Sequence, residues 1–175
     1  TGIRKWFFKM EKIKTVGYGK DGLVLKISEN HVAKVFLRPE DSFWEEGNSI
    51  NLGPEGISEQ YFIARALYNS GIRVPKPIGL YEIDIEGDKR LGFVMNYLNG
   101  FRIDQLDDSI PTEKKIEIVG KYWGELRKAA SKGFEIFDEG LHNGIWSLDG
   151  NVYLIDFRGW NFNEKYKTNE KVIEE

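Results

Sequence analysis

Three glycines, one lysine and a trio of oxygen-bearing side chains carry most of the chemistry available to this sequence. The stretch Val16-Gly17-Tyr18-Gly19-Lys20-Asp21-Gly22-Leu23-Val24 fits G-x-G-x-x-G-x-V at every fixed position. Glycines let the backbone approach a phosphate and aim N–H groups at its oxygens. The same string marks dinucleotide-binding folds, where it must open a helix. Here Leu23-Val24-Leu25-Lys26-Ile27 follows and reads as strand, so a glycine-rich hairpin is expected. Val32-Ala33-Lys34-Val35-Phe36 then sets a lysine inside an apolar strand. An ammonium there is costly unless a carboxylate or phosphate meets it; a lysine on an edge strand, facing water, is the plain alternative. Glu59, early on the following helix, is the natural partner, with Glu55 next if the register shifts by a turn. An opposite charge about 4 Å away supplies roughly 4 kcal/mol at an effective dielectric of about 20, before desolvation is deducted.

A second cluster lies near the other end of the chain. Residues 145–148 and 152–155 read as a hairpin around the tight turn Asp149-Gly150. Asn143 lies two residues before its first strand, and Asp156 directly follows its second. A hairpin returns the chain to its starting end, with strands about 4.8 Å apart. An amide oxygen and a carboxylate therefore converge, a pair suited to Mg²⁺, which takes oxygen ligands and shares them with phosphates. Asp138, five residues before Asn143, is close enough to orient an attacking hydroxyl beside such a metal. Turn capping is the competing role for Asn and Asp. His142 reads as a hydrogen-bonded structural histidine.

The elements that must position these groups follow from periodicity. Residues 23–27 and 32–37 read as strands around Ser28-Glu29-Asn30-His31. Residues 38–56, rich in Gly and Pro, read as a loop that tucks Phe43 and Trp44 under the fold or serves as a partner-binding or lid loop. A helix is expected from about Ile57 or Ser58 to Gly71, with Phe62, Ala66 and Ile63 inward. Residues 78–85 and 91–98 read as a hairpin across 86–89, and Asn99-Gly100 as a break between lobes. Pro111 opens a long helix to about Ala130, with Ile116, Val119, Trp123, Leu126 and Ala130 at helical spacing. A short polar helix is expected from Asn163. The basic first 14 residues, with Trp6, Phe7 and Phe8, read as a packed strand or helix, or as a docking arm. The sum is an α+β chain of two lobes with a hinge near 96–100.

Composition narrows the classes. At 41% apolar and 14% aromatic the chain has enough to build a core. Zero Cys removes thiol nucleophiles and thiolate zinc sites, and two His disfavour a histidine-rich metal centre. A net charge of −3 argues against a nucleic-acid binder held by overall charge, leaving any such contact indirect. No apolar run is long enough to span a membrane, and no signal peptide is read, so a cytoplasmic location is expected.

Taken in order, these motifs resemble the protein kinase superfamily: a Gly-rich loop (Gly17, Gly19, Gly22), a strand lysine (Lys34), a helix glutamate (Glu59), D-x-x-x-x-N (Asp138 to Asn143) and Asp156-Phe157. The 13 residues from Asn143 to Asp156 match that family's spacing. Gly71-Ile72-Arg73-Val74-Pro75-Lys76-Pro77-Ile78 further resembles the RIO and aminoglycoside-kinase branches. The resemblance covers about residues 13–160. It implies one kinase-like domain over 1–175: an N-lobe of about 1–98 with a five-stranded sheet, a hinge at about 96–100, and a reduced, mainly helical C-lobe of about 101–175. It implies ATP and Mg²⁺ as cofactors. The Gly-rich loop, with Val16 at its start, would cover the phosphates, and Lys34 would contact the α- and β-phosphates and pair with Glu59. Val24 and Val32 would roof the adenine, Met95 would be the gatekeeper, and the backbones of Asn96 and Leu98 would bind the base. Asn143 and Asp156 would hold Mg²⁺, and Asp138 would be the catalytic base.

The departures are informative. Lys34 sits one residue closer to the Val-Ala pair than in V-A-I-K, Ile136-Phe137-Asp138 stands for H-R-D, and Asp156-Phe157-Arg158 for D-F-G. Arg158 lacks glycine's backbone freedom and could reach a carboxylate or phosphate instead. No A-P-E follows. The expectation is a minimal, atypical RIO-like serine/threonine kinase or autophosphorylating kinase/ATPase, assembled without phosphorylation control, acting on an unidentified protein. A pseudokinase or nucleotide-binding scaffold working through protein partners, and a small-molecule kinase of the aminoglycoside type, are the alternatives. In a shifted register, Gly140-Leu141-His142 would match G-D-L-H, with Gly140 or Ile145 at functional positions and no base.

Overall fold

The computed structural model describes residues 4–5, 14–19, 22–36, 38 and 53–162. The expectations for the rest of the N-terminal segment, for 39–52 with Phe43 and Trp44, and for a helix from Asn163 lie outside these residues. The chain is α+β. It divides into two compact units, Thr1–Phe62 with Lys76–Tyr97, and Ile63–Pro75 with Leu98–Glu175.

The first unit is built on one sheet. Its strands are β1 (Arg4–Lys5), β2 (Lys14–Gly19), β3 (Gly22–Lys26), β4 (His31–Val35), β5 (Pro77–Ile85) and β6 (Asp88–Asn96), in the order β1-β5-β6-β4-β3-β2. All pairings are antiparallel except the short parallel contact of β1 with β5, which makes six strands where five are expected. Side chains alternate across a sheet. Leu23, Leu25, Ala33, Val35, Ile83 and Val94 therefore share one face and form its core. Each Leu, Val or Ile among them, fully buried, contributes about 1.5–3 kcal/mol. The turn between β5 and β6 is Glu86-Gly87 alone, with φ of 53° and 86°. Two left-handed residues are what a two-residue hairpin requires.

Helix α1 (Gly53–Asn69) starts four residues before the expected Ile57. Pro54 is accommodated because the first turn has no intrahelical acceptor to lose. Ile57, Gln60, Ala64 and Leu67 recur at helical spacing and are buried. Phe62, expected inward, is 57% exposed. Two residues beyond Gln60, at about 100° each, it falls on the opposite side of that stripe.

In the second unit the main helix is α2 (Thr112–Ser131). Three short strands, β7 (Gly100–Arg102), β9 (Gly144–Ser147) and β10 (Val152–Leu154), form a sheet in the order β10-β9-β7. A second sheet pairs β8 (Phe134–Glu135) with β11 (Asn161–Phe162). The buried side of α2 is Ile118, Tyr122, Glu125, Leu126 and Ala129. The expected stripe is thus displaced, and Ile116 is 67% exposed. The helix buries a tyrosine and a glutamate whose polar ends find partners, which hydropathy does not anticipate. Among the described residues no helix is long and apolar enough to cross a membrane.

Candidate active site

In the first unit, β2 and β3 close antiparallel with Gly19 opposite Gly22. Gly22 opens a strand and not a helix, so the strand–turn–helix of a dinucleotide fold is not formed at this motif. A register shift between Thr15 and Gly17 leaves Val16 as the bulged residue, 40% exposed. Val24 lies opposite Lys34, Val32 opposite Met95, and Lys34 opposite Phe93. Directly paired residues share a face, as do alternate residues of one strand. Val24, Val32, Lys34 and Met95 are therefore on one face, opposite the aliphatic core.

Lys34 is only 8% exposed. Its Nζ donates to Gln60 Oε1 at 2.7 Å. The expected partner was Glu59; the structure puts its neighbour there. One residue is about 100° of helix, enough to turn Glu59 from the buried stripe to the surface. Glu59 and Glu55 are exposed, and among the described residues neither joins an ion pair. At the end of β6, Asn96 N–H donates to Lys76 O at 3.0 Å and Tyr97 N–H to Asn30 O at 2.8 Å. Leu98 N–H has no such backbone acceptor among the described residues.

The second unit brings Asp138, Asn143 and Asp156 together. Asn143 closes the 3-10 turn Leu141–Asn143 and is buried. Its Nδ2 donates to the Asp138 carbonyl at 3.1 Å. Its own carbonyl accepts from Ile155 N–H at 2.8 Å. That bond extends the β9–β10 ladder by one residue and sets Asn143 beside the strand end that Asp156 follows. Ile145 lies two residues further along, opposite Tyr153.

Asp138 and Asp156 both have left-handed backbones, with φ of 58° and 63°. Such a conformation costs a non-glycine residue about 1 kcal/mol. Each aspartate offsets this by accepting the N–H two residues on, from Gly140 at 3.3 Å and from Arg158 at 3.4 Å. Positive φ after Asp156 falls on Gly159, at 75°, and not on Arg158. The chain turns there and returns to the segment preceding Asp138. Trp160 Nε1 donates to Phe137 O at 2.9 Å, and Trp160 packs edge-on against Phe157 at 5.5 Å.

His142 Nε2 lies 3.0 Å from Asp138 Oδ2. Desolvation raises the Asp138 pKa, but bonding to His142, the Gly140 N–H, the His142 charge and Asn143 outweigh it. The carboxyl sits below its ordinary value. Beneath this loop, Tyr122 Oη donates to the carbonyls of Gly140 at 2.9 Å and Glu139 at 3.2 Å. Burial, with the negative charges of Asp138 and Glu139, pushes its phenol up to about 12.

An amide oxygen and a carboxylate form an all-oxygen donor set, which fits Mg²⁺ when phosphates supply further ligands. Asn143 can offer Oδ1 while Nδ2 remains on Asp138. Gln60, Tyr122 and Trp160 were not singled out from sequence. Gln60 carried a faint signal, one residue from the expected glutamate on a helix whose stripe passes through Ile57 and Ala64. Tyr122 and Trp160 carried none beyond being aromatic. No protein-family model matches this chain, and no curated protein matches it.

Proposed function

We propose that this protein is an ATP- and Mg²⁺-dependent phosphotransferase, a minimal atypical kinase acting on serine or threonine hydroxyls of a protein or of itself. On this reading the two units are the lobes of a protein-kinase-like fold with a reduced C-terminal lobe. Asp138 accepts the proton of the attacking hydroxyl. Lys34 and the N–H groups of the Gly-rich hairpin bind phosphate oxygens, and Val24, Val32 and Met95 take the base. Asn143 and Asp156 hold Mg²⁺, which supplies charge neutralisation on the phosphates when bound. Catalysis is then mainly positioning and electrostatics.

The observation that carries this reading is the linkage of Asp138, Asn143 and the strand end at Asp156 by two hydrogen bonds. The test is incubation with labelled ATP and Mg²⁺. Wild type incorporates label, and Asp138→Ala lowers the rate by about 10²–10⁴. Undiminished labelling in that variant removes Asp138 as base. A second reading, a nucleotide-binding scaffold, is favoured by one observation: the α1 side chain that meets Lys34 is the amide of Gln60, where the kinase resemblance implies the carboxylate of Glu59. ATP binding with no transfer or hydrolysis decides for it.

A further inference from the structure

Gln60 is 3% exposed, and among the described residues its Nε2 has no hydrogen-bond partner. Chemistry fixes which end of the amide is which. Lys34 Nζ lies 2.7 Å from the other end. An ammonium has donors only, so the atom facing it is the carbonyl oxygen. The nitrogen is therefore a buried donor left unpaired, a costly state that native interiors rarely keep without a ligand, ion or water.

The surroundings define what could meet it. Lys34 Nζ is a second donor, one amide group away. Gly22, at the start of β3, lies over the lysine stem: a Cβ there would stand 3.2 Å from Lys34 Cε and 2.8 Å from the Val35 carbonyl. The Gly-rich hairpin thus approaches the lysine as backbone. These features belong to one unit and need no contribution from the other.

We propose that Gln60 is a ligand-binding residue: its Nε2 donates to a phosphoryl oxygen of the same polyphosphate group that Lys34 Nζ contacts. An acceptor is the only kind of group that two adjacent donors accommodate, and a polyphosphate supplies several anionic oxygens for both. Gln60 orients the lysine through its oxygen and adds a hydrogen bond through its nitrogen. A glutamate here does the first and forfeits the second, and brings a negative charge toward the anion. The identity of the ligand as the phosphate end of a nucleotide rests on the function proposed above; the anion site itself does not.

The experiment is calorimetric titration of the full chain, in Mg²⁺ buffer, with inorganic tripolyphosphate, ADP and adenosine. Gln60→Met keeps the length of the side chain and removes both polar ends. Gln60→Glu keeps the oxygen and removes the donor. Wild type binds tripolyphosphate and ADP. Both variants weaken these about tenfold or more, Gln60→Glu the more strongly, while adenosine affinity changes less than about twofold. A purely structural role would weaken adenosine equally, and that result overturns the proposal. So does unchanged tripolyphosphate binding in a folded variant, which assigns the nitrogen to a water. So does wild type that binds no tripolyphosphate. If ATP transfer proceeds while both variants bind as wild type does, the kinase function stands and Gln60 falls. If tripolyphosphate binding depends on Gln60 but adenosine does not bind and no phosphate is transferred, the anion site stands and the kinase function falls.

Discussion

The side-chain amide of Asn143 donates to the backbone carbonyl of Asp138 at 3.1 Å. A candidate metal ligand therefore holds the main chain of the candidate base, and Asn143 O, bonded to Ile155 N–H, ties both to the strand that leads into Asp156. Displacing one of these residues moves the others.

Asn143→Asp tests that coupling. A carboxylate keeps an oxygen for a cation but cannot donate to the Asp138 carbonyl. Stability falls by about 1–3 kcal/mol, the cost of losing a part-buried hydrogen bond. Urea denaturation reads this without reference to any activity. On the proposed function, transfer falls further in this variant than ATP affinity does, because the base is displaced while the phosphate contacts of the other unit remain.

Tyr122→Phe removes the hydroxyl under the Glu139 and Gly140 carbonyls while retaining the ring. Stability drops by about 1 kcal/mol. On the proposed function, the expected kinetic signature is a lower kcat with little change in KM for ATP. The raised phenol pKa gives a second measurement. A group whose folded pKa lies above its unfolded value stabilises fully below the unfolded value, near 10, and loses that contribution as pH rises through about 12. In alkaline titration by absorbance, Tyr122 ionises late in wild type, and that late component is smaller in Tyr122→Phe.

Glu125 holds the segment that follows α1. It is 5% exposed and accepts from Arg73 N–H at 3.0 Å, while the Arg73 carbonyl accepts from Leu154 N–H at 2.9 Å. Lys128 Nζ lies 3.2 Å from it. Glu125→Ala removes the acceptor of the Arg73 N–H and should cost about 1–3 kcal/mol. A loss under about 0.5 kcal/mol in thermal or urea unfolding would contradict this role.

Asp88, at the start of β6, serves two arginines. It accepts from Arg90 Nε at 2.8 Å and Nη2 at 2.7 Å, and also from Arg38 Nη1. Hydrogen bonding to Arg90, and then the two positive charges, hold its carboxyl below the ordinary 3.8 against desolvation. A depressed folded pKa stabilises fully above the unfolded value and is lost as pH falls through the folded one. Wild type should therefore lose stability below about pH 4 more steeply than Asp88→Asn, and the two curves should converge in acid. Near neutral pH, Asp88→Asn is less stable by about 1–3 kcal/mol.

Local signals were legible wherever the chain satisfies itself through near neighbours. The Asp149-Gly150 turn, the alternation that puts Leu25 and Val35 on one face and Lys34 on the other, and the return of Asn143 toward Asp156 all follow from short-range geometry. Phase was less legible. Both α1 and α2 carry apolar residues around much of their circumference, so hydropathy turned Phe62 and Ile116 inward when their true stripes run through Gln60, Tyr122 and Glu125. A polar side chain enters an interior only when a partner waits there, and the partners here, Lys34, the Gly140 carbonyl and Arg73 N–H, are distant in sequence.

The order of residue types along this chain by itself determined that a lysine would stand in an apolar strand, and that an amide and two carboxylates would lie around one late hairpin, because strand pairing and turn chemistry act over a few residues. Tertiary structure alone decided that Gln60 rather than Glu59 meets the lysine, and that Tyr122 and Trp160 brace the segments on either side of the hairpin. Those choices depend on how far a helix is rotated and where a distant carbonyl comes to rest, and packing of the whole unit sets both.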